Sequence, residues 1–461
     1  MYKIDYEKPC HVHFIGIGGI SMSGLAVILK DRGFTVTGSD RSESESVISL
    51  ENAGIKVFIG QTANNIDEAG QIDFVVYTAA ISSDNPELLR AKELGIPMLS
   101  RAELLGQIMT HYHLPIAVSG THGKTTTTAM VSKILLAASM DPTISIGGNL
   151  KDIGGNVRIG ASKYFVTEAC EYTNSFLHFF PGIGIILNID ADHLDFFKDL
   201  DDIRHSFREF ARLLPADGYL VVNNEIPNLS YITEGLKCNI ITYGFDETAD
   251  YYATDITYDD FGNAFFYINR KNKGKFKVSL KVPGKHNVSN ALASCACAEC
   301  FDIEEDQILQ GLSSFTGTGR RFEYKGNVDG LTIIDDYAHH PTEIKATLST
   351  AKNYPHKTLW CVFQPHTFTR TKALMDEFAN ALLLADKLII ADIYPARETD
   401  NLGISSRTLK EKIESLGHEC YYFPSFEEIE KFLLQNCTKD DMLITMGAGN
   451  VVDIANDLIG K

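Results

Sequence analysis

Ser119-Gly120-Thr121-His122-Gly123-Lys124-Thr125-Thr126 is the segment of this 461-residue chain whose residue types and spacing most directly dictate a chemistry. A short apolar run, PIAVSG from Pro115, passes into two glycines, and Lys-Thr-Thr then opens the helical pattern TTAMVSKILLAA. Glycines leave backbone N–H groups free to cradle phosphates, Lys124 carries a mobile charge to the β and γ groups, and the Thr125 hydroxyl can ligate Mg²⁺. Thr121, His122 and Thr126 fall inside the same cradle. Only two residues separate Gly120 from Gly123, a departure from the usual P-loop. The loop reads as an ATP site, with hydrolysis, kinase chemistry and ligation all open.

A second glycine turn lies near the N-terminus. Gly16-Ile17-Gly18-Gly19-Ile20-Ser21 follows the strand-like VHFIGIG and opens the amphipathic stretch SMSGLAVILKDRG. Glycines there let the backbone approach a diphosphate, which the free N–H groups and dipole of a helix N-terminus stabilise. Asp40 ends the next apolar run, about where a ribose-binding acid would sit. Ser21 stands in place of the third glycine of the dinucleotide fingerprint. Taken alone, the loop leaves open NAD, FAD, another nucleotide diphosphate, or a tight turn with no ligand.

Both loops need strands to aim them. Runs of strand length alternate with helical patterns almost from end to end: VHFIGIG, KVFI, DFVVYTAA and IPML, then PIAVSG, then LTIIDDYA, TLWCVFQ, KLIIADIY, ECYYF and DMLITMGAG. That alternation predicts an α/β chain of mostly parallel sheets. Three domains of ordinary size result: a Rossmann-like domain at 1–113, a P-loop-type ATPase domain at 114–322, and a second Rossmann-like domain at 323–461. The stretch 238–282 alternates in strand fashion between turn residues and predicts antiparallel strands appended to the middle domain.

The formal net charge is −18, from 42 basic and 60 acidic residues, which argues against nucleic acid and anionic membranes as partners. The nine cysteines show no framework spacing and read as reduced thiols. The start, MYKIDYEKPCHVHF, lacks a signal-peptide layout, and no apolar run approaches the ~20 residues that span a bilayer. A cytoplasmic protein, monomer or weak homodimer, is expected.

Seven motifs then occur in order over nearly the full length: GTHGKTTT, TEACEY with Glu168, NIDADHLD (188–195), PGKHNVSN (283–290), GTGRRFE (317–323), DDYAHHPTEI (335–344) and FQPHTFTRT (363–371). Together they resemble the Mur ligases, and the last two look like the branch that adds L-alanine to UDP-N-acetylmuramate. The resemblance implies that ATP activates a carboxylate as an acyl phosphate, which the amine of alanine then attacks. It assigns Thr125, Glu168 and His193 to Mg²⁺, and a histidine ligand hints that Mn²⁺ can substitute. It places Asn287, Arg321 and Asp336 near ATP, with Arg321 preferred to Arg320. Tyr337, His339, His340, His366, Arg370 and Arg397 become contributors to substrate and alanine placement. Lys124, Glu168, His193, His339 and Arg370 are the implied catalytic set. The first glycine loop, with Gly16, Gly18, Gly19, Ser21 and Asp40, is then read as the UDP-diphosphate site. Three domains around one reaction centre imply a closing motion that keeps water from the acyl phosphate.

Bland readings stand beside several of these. Glu168 alone is a strand-end carboxylate, His193 a loop histidine, Arg320–Arg321 a solvated pair, and Arg397 a partner of Glu398. Thr367 occupies a position where some members carry arginine, and Cys170 replaces the aspartate of the commoner EADES. No lysine occurs between Asp199 and Leu236, so the carbamylated lysine of later-acting branches is not expected. Cys295, Cys297 and Cys300 lie in the helical ALASCACAEC and read as packing residues, and His11 and His13 as strand residues. A peptide-recycling ligase, a nicotinamide-dependent oxidoreductase and a non-catalytic nucleotide-binding regulator are the alternatives.

Overall fold

The computed structural model of the chain describes residues 2–78, 81–259, 262–271, 273–396 and 398–460. These form three sheets with helices on their faces. The first holds β1 (His11–Ile15), β2 (Thr35–Asp40), β3 (Lys56–Ile59), β4 (Phe74–Tyr77) and β5 (Met98–Ser100) in the order β3-β2-β1-β4-β5. All its pairings are parallel. The switch of direction at β1/β4 opens a crevice beyond the strand ends, the usual ligand position in such sheets.

The second sheet has ten strands: β6 (Ile116–Ser119), β7 (Thr143–Leu150), β8 (Gly155–Arg158), β9 (Phe165–Glu168), β10 (Ile183–Ile186), β11 (Tyr219–Asn223), β12 (Asn239–Gly244), β13 (Tyr251–Tyr258), β14 (Ala264–Arg270) and β15 (Gly274–Leu280). Their order is β15-β14-β13-β12-β11-β10-β6-β9-β7-β8. The expectation of antiparallel strands across 238–282 holds for β13–β14–β15 but not for β12. Tyr219 to Asn223 pairs in parallel with Asn239 to Tyr243, because the helix Leu229–Thr233 carries the chain back over the sheet before β12 begins.

The third sheet contains β16 (Glu323–Val328), β17 (Leu331–Asp336), β18 (Leu359–Phe363), β19 (Lys387–Ile390), β20 (Cys420–Tyr422) and β21 (Met442–Met446), ordered β16-β17-β21-β18-β19-β20. β16 is an antiparallel edge that the apolar pattern did not announce, since its residues are half-buried and polar. The central strands LWCVF and MLITM are buried at every residue, as expected of parallel strands covered on both faces.

One hydrophobic cluster runs from the first sheet's helix face (Phe14, Leu25, Leu105) into the second unit (Phe165, Phe176, Phe210), so these two share a core. The seam is tight at Gly106, where an added Cβ would lie 2.0 Å from the His178 carbonyl oxygen. The third sheet has its own cores on its two faces. No helix among the described residues is long and apolar enough to cross a membrane. Cys295 and Cys297 lie buried in the helix Lys285–Ala298, their thiols pushed up by burial, which suits packing rather than metal binding. His11 and His13 both reach the Thr37 hydroxyl from β1.

Candidate functional site

The two glycine loops, Glu168, Asp336 and the motifs after β10, β17 and β18 lie at or beyond the C-terminal ends of parallel strands, whereas Asn287 opens the helix after the antiparallel β15 and Arg320 and Arg321 precede β16. The phosphate-loop candidate connects β6 to the helix Lys124–Ala137, with Gly120 at φ 138° and Gly123 at φ 85°. Glycine is demanded at both positions, because a Cβ would lie 2.8 Å from Leu187 at the first and 2.7 Å from Asn290 Oδ1 at the second. Lys124 folds back across the loop, its Nζ donating to the carbonyls of Gly120 at 2.5 Å and Thr121 at 3.1 Å and to Glu171 Oε2 at 3.0 Å. Burial works against the lysine's charge, but Glu171, itself buried, more than offsets this and raises its pKa.

Glu168, at the end of β9, accepts from the Gly147 N–H at 2.5 Å. The Gly147–Gly148 step of β7 passes close over two of the proposed ligands. A Cβ at Gly147 would lie 2.8 Å from Glu168 Oε2, and one at Gly148 2.9 Å from the Thr125 methyl. His193 follows β10 in a left-handed conformation, φ 54°, held by its N–H on Asp192 Oδ1 at 2.7 Å. Its Nε2 lies 3.9 Å from Glu171 Oε1, and burial lowers its pKa, so the imidazole is neutral and able to ligate. Thr125, Glu168 and His193 thus surround the Lys124–Glu171 pair. Two oxygen donors and a neutral imidazole, on a helix start, a strand end and the loop after β10, fit a divalent cation that keeps waters of its own.

Two cavities are lined by the segment 188–195, one by Asn188 and Asp190 and the other by Ala191 to Asp195. The first, about 270 Å³, is bounded by Thr125, Asn188 and Asp190 on one side and by Asn287, Arg321 and Asp336 on the others. Asn287 is oriented by donating to the Pro283 carbonyl at 2.7 Å. Asp336, whose pKa burial pushes up to about 6, accepts from the Phe322 N–H at 3.0 Å and from the Thr347 hydroxyl at 3.1 Å. The adjacent arginines differ sharply in their duties. Arg320 is committed to Asp335 and to the carbonyls of Gly447 and Gly449, whereas Arg321 faces the cavity.

The second cavity, about 320 Å³, draws residues from all three units: Thr78 and Arg101, then Cys170 and His193, then His366 and Arg370. Arg370 binds Asp192 at 3.0 Å and His366 Nδ1 at 3.1 Å. Burial pushes the Asp192 carboxyl up, but His193 and then Arg370 more than offset this and hold it far below the ordinary carboxylate range. Thr367, at φ 66°, caps the helix Phe368–Ala373 and lines the cavity. Cys170 also lines this cavity, its thiol raised by burial.

The third unit is fastened to the second by the start of the helix Pro341–Ala351. His122 of the glycine loop lies between Asp190 Oδ2 at 3.3 Å and Glu343 Oε1 at 3.1 Å. Burial alone would depress this histidine, but the two acids raise it to about 9, so it is a cation at neutral pH. Thr342 donates to Asp190 at 2.9 Å, and His340 Nε2 meets the Ala191 carbonyl at 3.2 Å while its Nδ1 caps the helix. His122, Asp190 and His340 also bring their ligand atoms within 4.8 Å of one another. A protonated His122 is a poor metal ligand, and hydrogen bonds already satisfy the group.

His339 stands at 3.4 Å from Glu343 and is kept neutral by burial, near pKa 4. Tyr337 is flanked by Arg320 and Arg321, whose guanidinium carbons lie 5.0 and 5.1 Å from its ring. Tyr337, His339 and His340 line neither cavity. Arg397 lies outside the described residues.

In the first unit, Gly16 takes φ 81°, and Gly18 donates to Asp40 Oδ2 at 2.8 Å, so Asp40 closes the glycine turn. A separate groove beside it is lined by Arg41, Gly60, Gln61 and Asn85. Gly19 precedes the helix Ile20–Asp31 as its N-cap, and the Ser21 hydroxyl accepts from Arg101 at 3.0 Å.

Glu171, Gly147, Gly148, Asp192, Arg101 and Glu343 belong to the site without having been singled out from the sequence. The two glycines carried a signal, a Gly-Gly pair ending an apolar run. The charged residues carried none, because their partners are distant in the chain.

Comparison with known proteins finds the catalytic domain of the Mur ligase family over residues 11–113, the Mur ligase middle domain over 118–298, and the Mur ligase glutamate ligase domain over 320–449. The chain is 59% identical over 461 residues to the UDP-N-acetylmuramate–L-alanine ligase of Agathobacter rectalis, covering 100% of both. It is 57% identical to that of Lachnospira eligens, again over 100% of each. Among solved structures, the UDP-N-acetylmuramate–alanine ligase of Thermotoga maritima aligns with a TM-score of 0.83 at 30% identity, covering 98% of each chain. A murein peptide ligase from Psychrobacter arcticus aligns at 0.74 and 27%, also over 98% of each. These likenesses run from one end of the chain to the other and leave one conclusion: the chain belongs to the Mur ligase family.

Proposed function

We propose that the protein is the ATP-dependent ligase that joins L-alanine to the carboxylate of UDP-N-acetylmuramate, a step in making peptidoglycan precursors, and that it acts in the cytoplasm, where both nucleotides reside. The observation that carries this reading is the shared wall: Asn188 and Asp190 line a cavity with the phosphate-loop residues Thr125 and Thr126, and Ala191 to Asp195 line one built by all three units. A phosphoryl donor on one side and a carboxylate acceptor on the other meet at the end of that wall, beside Lys124, Glu168 and His193.

In this reading ATP occupies the first cavity, with its phosphates on the Gly120–Thr126 loop. Lys124 exchanges part of its bonding to Glu171 for the γ-phosphate, and Asn287, Arg321 and Asp336 place the nucleoside. Thr125, Glu168 and His193 would hold Mg²⁺, which neutralises phosphate charge when bound. UDP lies on the first unit, its diphosphate at the Gly16–Gly19 turn and its nucleoside towards Asp40 and the Arg41–Asn85 groove. The muramoyl carboxylate oxygen attacks the γ-phosphorus in line, the bond to the β-bridging oxygen breaks, and ADP leaves. The neutral amine of alanine, placed by His366 and Arg370 with Tyr337, His339 and His340 nearby, then attacks the acyl carbon, its proton passes to solvent, and phosphate departs as the amide forms. Catalysis is largely positioning and charge neutralisation. The His122–Glu343 and Thr342–Asp190 contacts keep the third unit closed and water out while the acyl phosphate exists.

Phosphate release with ATP, Mg²⁺, UDP-N-acetylmuramate and L-alanine tests this. Release demanding both acceptor and alanine, with a product heavier by one alanine residue, is expected. Release with a tripeptide but not alanine would make it a recycling ligase, and silence with every acceptor would leave a nucleotide-binding regulator.

A further inference from the structure

Arg101 is a part-buried cation that forms no ion pair among the described residues. It is the first residue of the helix Arg101–Met109, and a capping box between Ser100 and Glu103 fixes that helix start. Its side chain lies at the seam of the first and second units and lines the three-unit cavity. Among the described residues it makes one hydrogen bond, Nη1 to the Ser21 hydroxyl at 3.0 Å, and no ion pair. Burial disfavours its charge, and only Cys170 and Glu168 act in the opposite sense.

The acids of the cavity are all engaged elsewhere. Asp192 is held by Arg370, Asp195 Oδ2 accepts from the Tyr172 hydroxyl at 2.8 Å, and Glu398 accepts the N–H groups of Phe368 and Thr369. A part-buried guanidinium that lines a cavity with donors left open to it is well placed to take an anion from outside. Its planar fork matches a carboxylate bidentately. Through Ser21 it touches the helix that follows the diphosphate turn, and on its other side it faces Cys170 and the neighbourhood of Glu168. A group reaching from the diphosphate turn towards the phosphate loop passes this guanidinium.

Resting on the ligase reading above, we propose that Arg101 grips the reacting carboxylate of the acceptor and orients it towards the γ-phosphate. The residue thereby discriminates an acceptor bearing a carboxylate from the same nucleotide sugar without one.

The test is calorimetric titration of wild-type protein, Arg101→Met and Arg101→Lys with UDP-N-acetylmuramate and with UDP-N-acetylglucosamine, which lacks the carboxylate-bearing ether. Arg101→Met is expected to weaken UDP-N-acetylmuramate roughly 10- to 100-fold, the scale of a lost charged hydrogen-bonded pair, while UDP-N-acetylglucosamine changes less than about twofold. Arg101→Lys, which keeps the charge but not the fork, restores part of the loss. Equal weakening of both ligands would mean a diphosphate grip and overturn the assignment, as would no weakening of either. Wild-type protein that binds neither nucleotide sugar would instead sink the ligase reading, and this assignment with it.

Discussion

Glu343→Gln removes one charge from the contact that fastens the third unit to the phosphate loop, and the structure sets the size of the effect. His122 is raised from 6.5 to about 9, a preference for the protonated form of about 3 kcal/mol at about 1.4 kcal/mol per pH unit. Asp190 and Glu343 share that preference, and Asp190 belongs to the same unit as His122, so only Glu343's part stabilises closure. About 1–2 kcal/mol then falls to Glu343, a loss of roughly 5- to 30-fold in the closed population. Both side chains are at most 15% exposed, so solvent screening takes little from this figure. Because the pKa is raised, the contact is at full strength below pH 6.5 and is lost as pH climbs through about 9. In the variant His122 titrates about one unit lower, and the alkaline fall of kcat/KM for ATP should move down with it. The assay is phosphate release across pH 7–10 in wild type and variant. Ionisation of the alanine amine is common to both and cancels in their ratio. A ratio that stays within twofold of unity across this range, or histidine NMR showing His122 titrating at its ordinary value in the wild type, would refute the reasoning.

Lys124→Ala should lower kcat roughly 10²- to 10³-fold, the scale for one preorganised donor on developing charge, with folding by circular dichroism unchanged. Gly147→Ala drives a methyl against the Glu168 carboxylate, and titration of activity with Mg²⁺ should show about tenfold more metal needed at unchanged ADP affinity. His13 is fully buried, lowered to about 3 by burial and then by His11, so the unfolded chain takes a proton that the folded first unit refuses. Stability therefore falls as pH drops below 6.5, by about 2 kcal/mol at pH 5, and His13→Leu should flatten that acid loss in calorimetric melting of the first unit.

Local chemistry was legible in the sequence where a residue's job depends on its near neighbours. The order of β6, glycines, Lys124 and helix is written within about a dozen residues, and the structure draws that segment as a strand, a tight turn and a helix. The alternation of apolar runs likewise carries the three parallel-rich sheets. The direction of β12 was not legible. Its apolar pattern is the same in either sense, and only the short helix before it decides that it runs parallel to β11. The two arginines of GTGRRFE are chemically equal in sequence and separate only when β17 and the Gly447–Gly449 turn claim Arg320.

The hidden part of the site has one physical character: residues that matter because of what they lack or share across long chain separations. Glu343 gains its weight from His122, 221 residues away, and Arg370 from Asp192, 178 residues away. Arg101 gains its weight from having no ion-pair partner among the described residues. A pattern of residue types records helix faces and loop chemistry, because those are set by spacing along the backbone. Charge balance inside a cavity is settled by three units arriving together, and it becomes readable only when every neighbouring acid has been assigned its partner. The same argument explains why the closing contacts gather on the Asp190–His193 segment. Among the described residues that segment borders both cavities, so fastening the third unit there couples the two cavities through a single loop.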